Sequence, residues 1–284
     1  MMYREDALIL NCEGEHMLAI LSQPVASTAL DVGVVIVVGG PQYRVGSHRQ
    51  FKLLADRLAG AGIATLRFDY RGMGDSTGDL RSFEDVSADI GTAIDALIDR
   101  SGHVTKVVIW GLCDGASAAL LYQRAANDAR VRGLCLLNPW VRSEVSLARA
   151  QVKHYYANRL RERAFWLKLL SGQVAGTALR SLWRNLRTAR ARPQVSAETA
   201  HYQQRMAAAW RRFDGNILLV LSEHDYTAKE FLEYTQMNRD WHELLNRATV
   251  LRHELAGADH TCSDMTSRSA VESLTLEWTQ RHVT

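Results

Sequence analysis

The chain has 284 residues, 47% of them hydrophobic, and a formal net charge of +3 at neutral pH. This length and composition fit one larger α/β domain with a sizeable buried core. So small a net charge argues against a protein that binds nucleic acid.

Short strands and amphipathic helices alternate over the first half of the chain. Residues 7–12 and 17–21 are strand candidates joined at Glu13-Gly14-Glu15, which is a hairpin signal. The continuous apolar run 32–38 is typical of a central parallel strand. The pattern continues in the order helix 50–61, strand 63–68, helix 83–100, strand 107–110 with a helix directly after it, and strand 133–137. Such alternation predicts βαβ units and a mostly parallel sheet.

Residues 141–212 interrupt this alternation, because no strand pattern is visible there. The segment favours several helices, including 146–170 and 175–190. Beyond it the sheet resumes, in the order strand 217–221, helix 228–246, strand 248–255 and helix 268–282. The sequence therefore predicts a core formed by residues 1–140 and 213–284 and a helical insertion formed by residues 141–212.

Four scattered cysteines form neither a CxxC pair nor a metal-ligand spacing. This usage favours a reducing compartment and argues against a disulfide framework. The N-terminal stretch carries early acidic residues and no long apolar run, so no signal peptide is predicted. No run approaches the 18 apolar residues of a transmembrane helix. We therefore expect a cytoplasmic protein that needs no metal and no other cofactor.

The apolar run 107–110 leads directly into Gly111-Leu112-Cys113-Asp114-Gly115 and then into a good helix-forming segment. A nucleophilic side chain between strand and helix, with glycines two residues before and two after, is the pattern of a nucleophile elbow. The glycines are needed because strand and helix backbones approach closely at such a strained turn. Cys113 is the candidate nucleophile, and the helix N-terminus is expected to lower the pKa of its thiol. The alternative is a buried structural cysteine beside an ordinary turn.

Two later strands are followed by residues that could act with Cys113. Asp225 follows strand 217–221, and His260 lies in the loop after the last predicted strand. Cys113 would attack an acyl carbon, His260 would accept its proton or hold it as an ion pair, and Asp225 would orient His260. Alternatively, Asp225 is a turn or surface acid, with Glu223 as the local competitor, and His260 is a solvated histidine.

A further motif, Asp69-x-Arg71-Gly72-x-Gly74-x-Ser76, follows an early strand. With this run, the elbow, the acid and the histidine in this chain order, the sequence resembles the α/β-hydrolase superfamily over essentially its whole length. The resemblance implies an α/β-hydrolase fold with a helical cap insertion, and a structural role for the 69–76 run. Residues 39–49 and the run Gly111-Leu112-Cys113-Asp114 are similar to the exosortase A system-associated hydrolase type 1 group. Members of that group belong to bacterial gene clusters for exopolysaccharide production and protein sorting.

An oxyanion hole needs two N–H donors near the nucleophile. One is expected from Asp114, the residue after the cysteine. The other is expected from the loop after strand 32–38, where Gly39-Gly40 stands in place of the His-Gly of many relatives and where Pro41 has no N–H. Gln42 is therefore the predicted second donor and Gly40 its competitor. A simple tight turn is the alternative for the glycine pair.

The predicted insertion is strongly basic. Residues 141–212 contain 13 Arg and 2 Lys against 3 Glu and no Asp, a net +12 that leaves −9 for the rest of the chain. Such an excess favours an anionic partner: a phosphorylated lipid or sugar, a coenzyme A thioester, or the surface of an anionic membrane. The alternative is a solvated helix face. Nucleic acid is not expected, because the acidic remainder would repel it.

A cysteine at the elbow favours reactions that pass through a thioester. A thiolate is both a strong nucleophile and a good leaving group, so acyl exchange through a thioester is nearly balanced. We expect hydrolysis of an acyl ester or thioester of a small molecule through an acyl-cysteine intermediate. Cysteine elbows of the superfamily occur in dienelactone hydrolases and in polyester synthases, so acyl transfer to an acceptor other than water stays open. A non-catalytic binding protein of this fold is the contrasting class.

Overall fold

The computed structural model describes residues 3–25, 29–40, 42–142 and 197–284. In chain order the elements are β1 (Tyr3–Cys12), β2 (Glu15–Pro24), β3 (Val32–Val37), α1 (Gln50–Gly60), β4 (Ala64–Phe68), α2 (Ser87–Ser101), β5 (Lys106–Leu112), α3 (Asp114–Ala126), β6 (Val131–Leu137), α4 (Ala197–Arg212), β7 (Asn216–Ser222), α5 (Tyr226–Met237), β8 (Val250–Leu255) and α6 (Met265–His282). None of the described helices is long and apolar enough to cross a membrane.

The strands form one sheet of eight in the order β1-β2-β4-β3-β5-β6-β7-β8. β1 pairs with β2, and β2 with β4, in antiparallel fashion. The other neighbouring strands are parallel. The predicted mostly parallel sheet flanked by helices is therefore confirmed. Because parallel strands end at the same edge, the loops after β3, β5, β6, β7 and β8 share one side of the molecule.

The sheet is covered on both faces, and alternate residues of β3 serve the two sides. Val35 belongs to the apolar cluster that includes Ile90 of α2 and Leu120 of α3. Its neighbour Ile36 belongs to the cluster that includes Phe51 of α1 and Trp278 of α6. Burial on both faces explains why β3 is a continuous apolar run instead of an alternating one.

The helix predicted at 228–246 is shorter in the structure and ends at Met237. Asn238 adopts an extended conformation, and its side chain accepts a hydrogen bond from the backbone N–H of Asp240. Two short 3₁₀ helices follow, and Trp241 from the first packs against Trp210 with 5.5 Å between ring centroids. The apolar pattern after Met237 therefore reflects core contacts made without a continuous helix.

Helix α4 lies at the end of the predicted insertion and packs against α3. Its Met206 and Trp210 are fully buried in the same cluster as Leu120. The predicted helices 146–170 and 175–190 lie outside the described residues, and the division of the chain into core and insertion stays a prediction.

The run after β4 is built around a buried guanidinium. Arg71 is 2% exposed, and its Nη2 lies 2.9 Å from Oδ2 of Asp89, which is fully buried in α2. Nη1 of Arg71 also pairs with the exposed carboxylate of Glu13. Ser76 Oγ donates to the carbonyl of Asp69 and accepts from the N–H of Leu18, both at 2.9 Å. These contacts tie the β4 loop to α2 and to the β1–β2 hairpin, which is a structural role.

Replacing Asp89 with asparagine should lower the free energy of unfolding by about 3–5 kcal/mol, because it leaves the buried Arg71 charge without its main counter-ion. Urea denaturation of the full chain, followed by circular dichroism, measures this change. Glu13→Gln is the matched control, since the pair on the exposed side of Arg71 is screened by water and its loss should matter little. Equal losses for the two variants would contradict this account of the buried pair.

Candidate active site

Cys113 stands in the turn between β5 and α3, and its backbone is strained. Its φ of 59° and ψ of −123° are unusual for a residue with a side chain, and such a conformation costs on the order of 1–3 kcal/mol. Hydrogen bonds hold it in place: its N–H donates to the carbonyl of Leu137 at 2.9 Å, and its carbonyl accepts from the N–H of Trp140 at 3.2 Å. The turn therefore presents the thiol at the carboxyl edge of the sheet.

The two glycines around the cysteine allow close backbone contact. A Cβ on Gly111 would lie 2.5 Å from the carbonyl oxygen of Gly115, and a Cβ on Gly115 would lie 2.5 Å from the carbonyl oxygen of Val37. Real Cβ atoms are not found so close to backbone oxygen. The spacing of the glycines thus follows from the contact of β5, α3 and β3.

Asp225 and His260 are brought together from two neighbouring strands. Asp225 is the N-cap of α5, where its side chain accepts from the N–H groups of Thr227 and Ala228 at 3.0 and 3.2 Å. Its Oδ2 also lies 2.9 Å from Nδ1 of His260. Because a carboxylate only accepts hydrogen bonds, this contact favours the imidazole tautomer with hydrogen on Nδ1 and leaves Nε2 as a base.

Glu223, the competing acid, is exposed, and its carboxylate accepts from the N–H of Gly257 at 2.8 Å. Asp225 is the acid that contacts the histidine. The side chain of Asn138, directly after β6, donates to Ser222 Oγ and to the carbonyl of His260 at 3.0 and 3.2 Å. It therefore joins the ends of β6 and β7 to the histidine loop.

The thiol of Cys113 is not a resting thiolate. Burial, together with the charges of Asp114 and Asp225, raises its pKa to about 12, against the opposing effects of the Asp114 N–H and of Arg142. The lowered pKa expected from the sequence is therefore wrong: the residue is only 9% exposed, and the two nearby carboxylates act against the helix N-terminus. Attack by Cys113 would need a base to remove its proton during the reaction.

Of the predicted oxyanion donors, Gly40 makes direct contact with the elbow. Its N–H donates to Oδ1 of Asp114. Gln42 follows in the same loop, and its side-chain oxygen accepts from the N–H of Ser47 at 3.4 Å. Burial raises the pKa of the Asp114 carboxyl, against the opposing effects of hydrogen bonds from the N–H groups of Gly40 and Gly115. Which N–H serves an oxyanion stays a prediction.

A side-chain cluster that follows β6, near the candidate nucleophile, was not identified from the sequence. The guanidinium of Arg142 lies 4.5 Å from the ring centroid of Trp140, and its Nε donates to Oε2 of buried Glu230 at 2.9 Å. Arg142 is close enough to lower the pKa of Cys113. The signal available was its position just beyond the carboxyl end of a parallel strand.

Within the described part of the chain, no group of three His, Cys, Asp or Glu side chains is placed to hold a metal ion. The arrangement instead brings a candidate nucleophile, a base oriented by an acid, and backbone N–H groups to one edge of the sheet. These are the components of covalent acyl chemistry.

The family comparison agrees with this fold. Residues 34–272 match the alpha/beta hydrolase family. The chain therefore belongs to the alpha/beta hydrolase family. No curated protein sequence matches it.

Solved structures with the same fold include an esterase and a dienelactone hydrolase. The esterase Pf2001 of Pyrococcus furiosus is 13% identical with a TM-score of 0.66, over 99% of this chain and 94% of that one. Est1E of Butyrivibrio proteoclasticus, determined with ferulic acid bound, is 14% identical with a TM-score of 0.62, over 98% and 99%. The dienelactone hydrolase of Anabaena variabilis is 16% identical with a TM-score of 0.62, over the full length of both chains. At these identities the likeness establishes the fold.

Alkylation of Cys113 by iodoacetamide should rise about tenfold per pH unit from neutral pH, without a plateau below about pH 11, because only the thiolate reacts. Mass spectrometry of the alkylated peptides at successive pH values measures the rate. Cys135, whose pKa burial also raises to about 12, is fully buried and should stay unlabelled while the protein is folded. A rate for Cys113 that levels off by pH 8 would show a stabilised thiolate and contradict this result.

Proposed function

We propose that this protein hydrolyses an acyl ester or thioester through an acyl-cysteine intermediate, with Cys113 as nucleophile, His260 as general base and acid, and Asp225 as the group that orients His260. The observation that carries the proposal is the strained elbow of Cys113 at the same sheet edge as the 2.9 Å Asp225–His260 contact. The family membership and the esterases among the structural neighbours agree with an ester substrate.

The proposed reaction begins with a neutral thiol. Sγ of Cys113 attacks the carbonyl carbon as its proton passes to Nε2 of His260, and the carbonyl electron pair moves onto oxygen. The tetrahedral adduct collapses, the bond to the leaving group breaks, and the leaving oxygen or sulfur takes the proton from His260. Water then attacks the acyl-cysteine as one of its protons passes to His260. The second tetrahedral adduct collapses, the C–S bond breaks, and Sγ of Cys113 takes the proton from His260 as the acid is released. Asp225 stabilises the imidazolium in both halves.

Acyl transfer is the second candidate, because the same acyl-cysteine can pass its acyl group to an acceptor other than water. A non-catalytic binding protein is the third. The similarity to the exosortase A system-associated group leads us to propose a role in exopolysaccharide or exosortase systems of bacteria. We further propose a cytoplasmic location, in keeping with the cysteine usage.

We also propose that the substrate is anionic. Arg142 supports this, because its guanidinium stacks on Trp140 beside the thiol and a substrate carboxylate or phosphate could pair with it. The basic residues 141–212 would add attraction for a charged substrate or for an anionic membrane surface.

Cys113→Ala should lower kcat by at least about a thousandfold, because it removes the covalent step and leaves only binding and the oxyanion donors. A panel of p-nitrophenyl esters and acyl-coenzyme A thioesters, with product mass spectrometry, measures turnover and separates hydrolysis from transfer. Cys113→Ser is the matched control and should keep more activity than the alanine variant. Wild-type rates in Cys113→Ala would refute the nucleophile, and no turnover by the wild type on any acyl substrate would favour the binding protein.

The double variant Arg142→Gln, Glu230→Gln should raise KM about tenfold for an anionic ester such as p-nitrophenyl hemisuccinate, because a charge-assisted hydrogen bond is worth about 1.5–3 kcal/mol. KM for neutral p-nitrophenyl butyrate should change little. Both partners are replaced so that the buried Glu230 is not left as an unpaired charge.

The pair Arg205–Glu84 offers a matched control, since it is an Arg–Glu contact that is partly exposed. Its double glutamine variant should leave both KM values near those of the wild type. Equal increases in KM for the charged and the neutral ester in the Arg142 double variant would contradict an electrostatic role for Arg142.

A further inference from the structure

The side chain of Asp114 lies among N–H groups that an acyl substrate needs. Its Oδ1 accepts a hydrogen bond from the N–H of Gly40, in the loop after β3. The carboxyl group also interacts with the N–H of Gly115 in the first turn of α3 and with its own N–H. The loop after β3 and the N-terminus of α3 are the two sources from which this family's oxyanion hole is expected to be built.

The contact between loop and elbow is close. A Cβ on Gly39 would lie 2.0 Å from the carbonyl oxygen of Leu112 and 2.8 Å from Oδ1 of Asp114, so only a glycine lets the loop pack this closely against the elbow. The hydroxyl of buried Tyr70, after β4, donates to the carbonyl of Val38 and holds the start of the loop. The Asp114 carboxyl group is therefore seated between two fixed pieces of backbone.

We propose that the Asp114 carboxyl group is a protonable member of the oxyanion hole: ionised it occupies the Gly40 N–H and repels the oxyanion, and protonated it donates a hydrogen bond to that oxyanion. This inference rests on the proposed function of the same site. It adds a catalytic residue that the triad does not contain, and it makes the charge of Asp114 a determinant of rate.

Titratable groups from three elements act on this carboxyl group or respond to it. His260, in the loop after β8, lowers the pKa of Asp114, while burial raises it. Asp114 in turn raises the pKa of Tyr70 after β4 and that of Cys113 in its own turn, in each case in addition to burial. Because burial has the larger effect on Asp114, the neutral acid is accessible closer to neutral pH than it is for an exposed aspartate.

A trifluoromethyl alkyl ketone tests the proposal without turnover. Cys113 Sγ adds to its carbonyl carbon, the thiol proton passes to His260, and the oxygen becomes an anion in the oxyanion hole. Fluorine NMR of the full chain gives Kd of this adduct between about pH 4 and pH 9, a range that runs upward from the ordinary aspartate pKa. Wild type, Asp114→Asn and Asp114→Ala are compared, with Cys113→Ala as the control that forms no adduct.

Asp114→Asn is nearly isosteric and offers a neutral N–H donor, as the protonated acid does. It should bind the ketone about tenfold or more tightly than the wild type at the high end of the pH range, and equally at the low end. Asp114→Ala frees the Gly40 N–H without adding a donor. Its Kd for the ketone at high pH should therefore lie between those of the wild type and of Asp114→Asn. A wild-type to Asp114→Asn ratio that does not change with pH overturns the proposal, as does the absence of an adduct in the wild type and the aspartate variants.

A separate measurement excludes an effect through the thiol alone. Iodoacetamide alkylates Cys113 without forming an oxyanion, so its rate ratio between wild type and Asp114→Asn reports only the change in the thiol. A ratio that tracks the ketone ratio over the whole pH range overturns the role assigned to Asp114. The failure of the proposed function has a different signature, since an ordinary ketone adduct would then be accompanied by no turnover of any acyl substrate.

Discussion

The strained backbone of Cys113 is the constraint on which the site depends. A φ of 59° is unfavourable for a residue with a side chain, and it persists because hydrogen bonds to Leu137 and Trp140 fix both peptide groups of the turn. Those two partners lie at and just beyond the end of β6, so the conformation of the nucleophile is set by a neighbouring strand. Close packing of Gly115 on Val37 of β3 adds the support of the strand on the other side.

Backbone contacts also fix the positions of the acid and the histidine. Asp225 caps α5 through the N–H groups of Thr227 and Ala228 and also contacts His260, so its orientation is fixed by backbone before it acts on the imidazole. Asn138 reaches across to the carbonyl of His260 from the end of β6.

The parts of this structure that local sequence determines were predictable, and the parts that burial determines were not. Continuous apolar runs and the glycines around Cys113 report backbone geometry, so the strands and the elbow follow from them. The end of α5 at Met237 depends on the extended backbone of Asn238 and on the packing of Trp241 in the core. The raised pKa of Cys113 depends on side chains far away in the sequence, Asp225 among them, and on exclusion of water. The sequence shows only the helix N-terminus, which lowers the pKa of Cys113, and burial and the two carboxylates outweigh that effect.

The charges around the thiol divide into two sides. Attack by a neutral thiol on a neutral carbonyl creates an imidazolium and an oxyanion, so the net charge of the site does not change while two opposite charges form. On the imidazolium side, Asp225 is placed to stabilise the positive charge that forms on His260. On the oxyanion side, the elbow holds a carboxyl group at the Gly40 N–H, where a second negative charge is unfavourable. An acid is therefore helpful on one side of the nucleophile and harmful on the other unless it is neutral. In the proposed mechanism, the balance of the first step therefore depends less on the imidazolium, which Asp225 is placed to stabilise, than on the protonation of the residue that follows the cysteine.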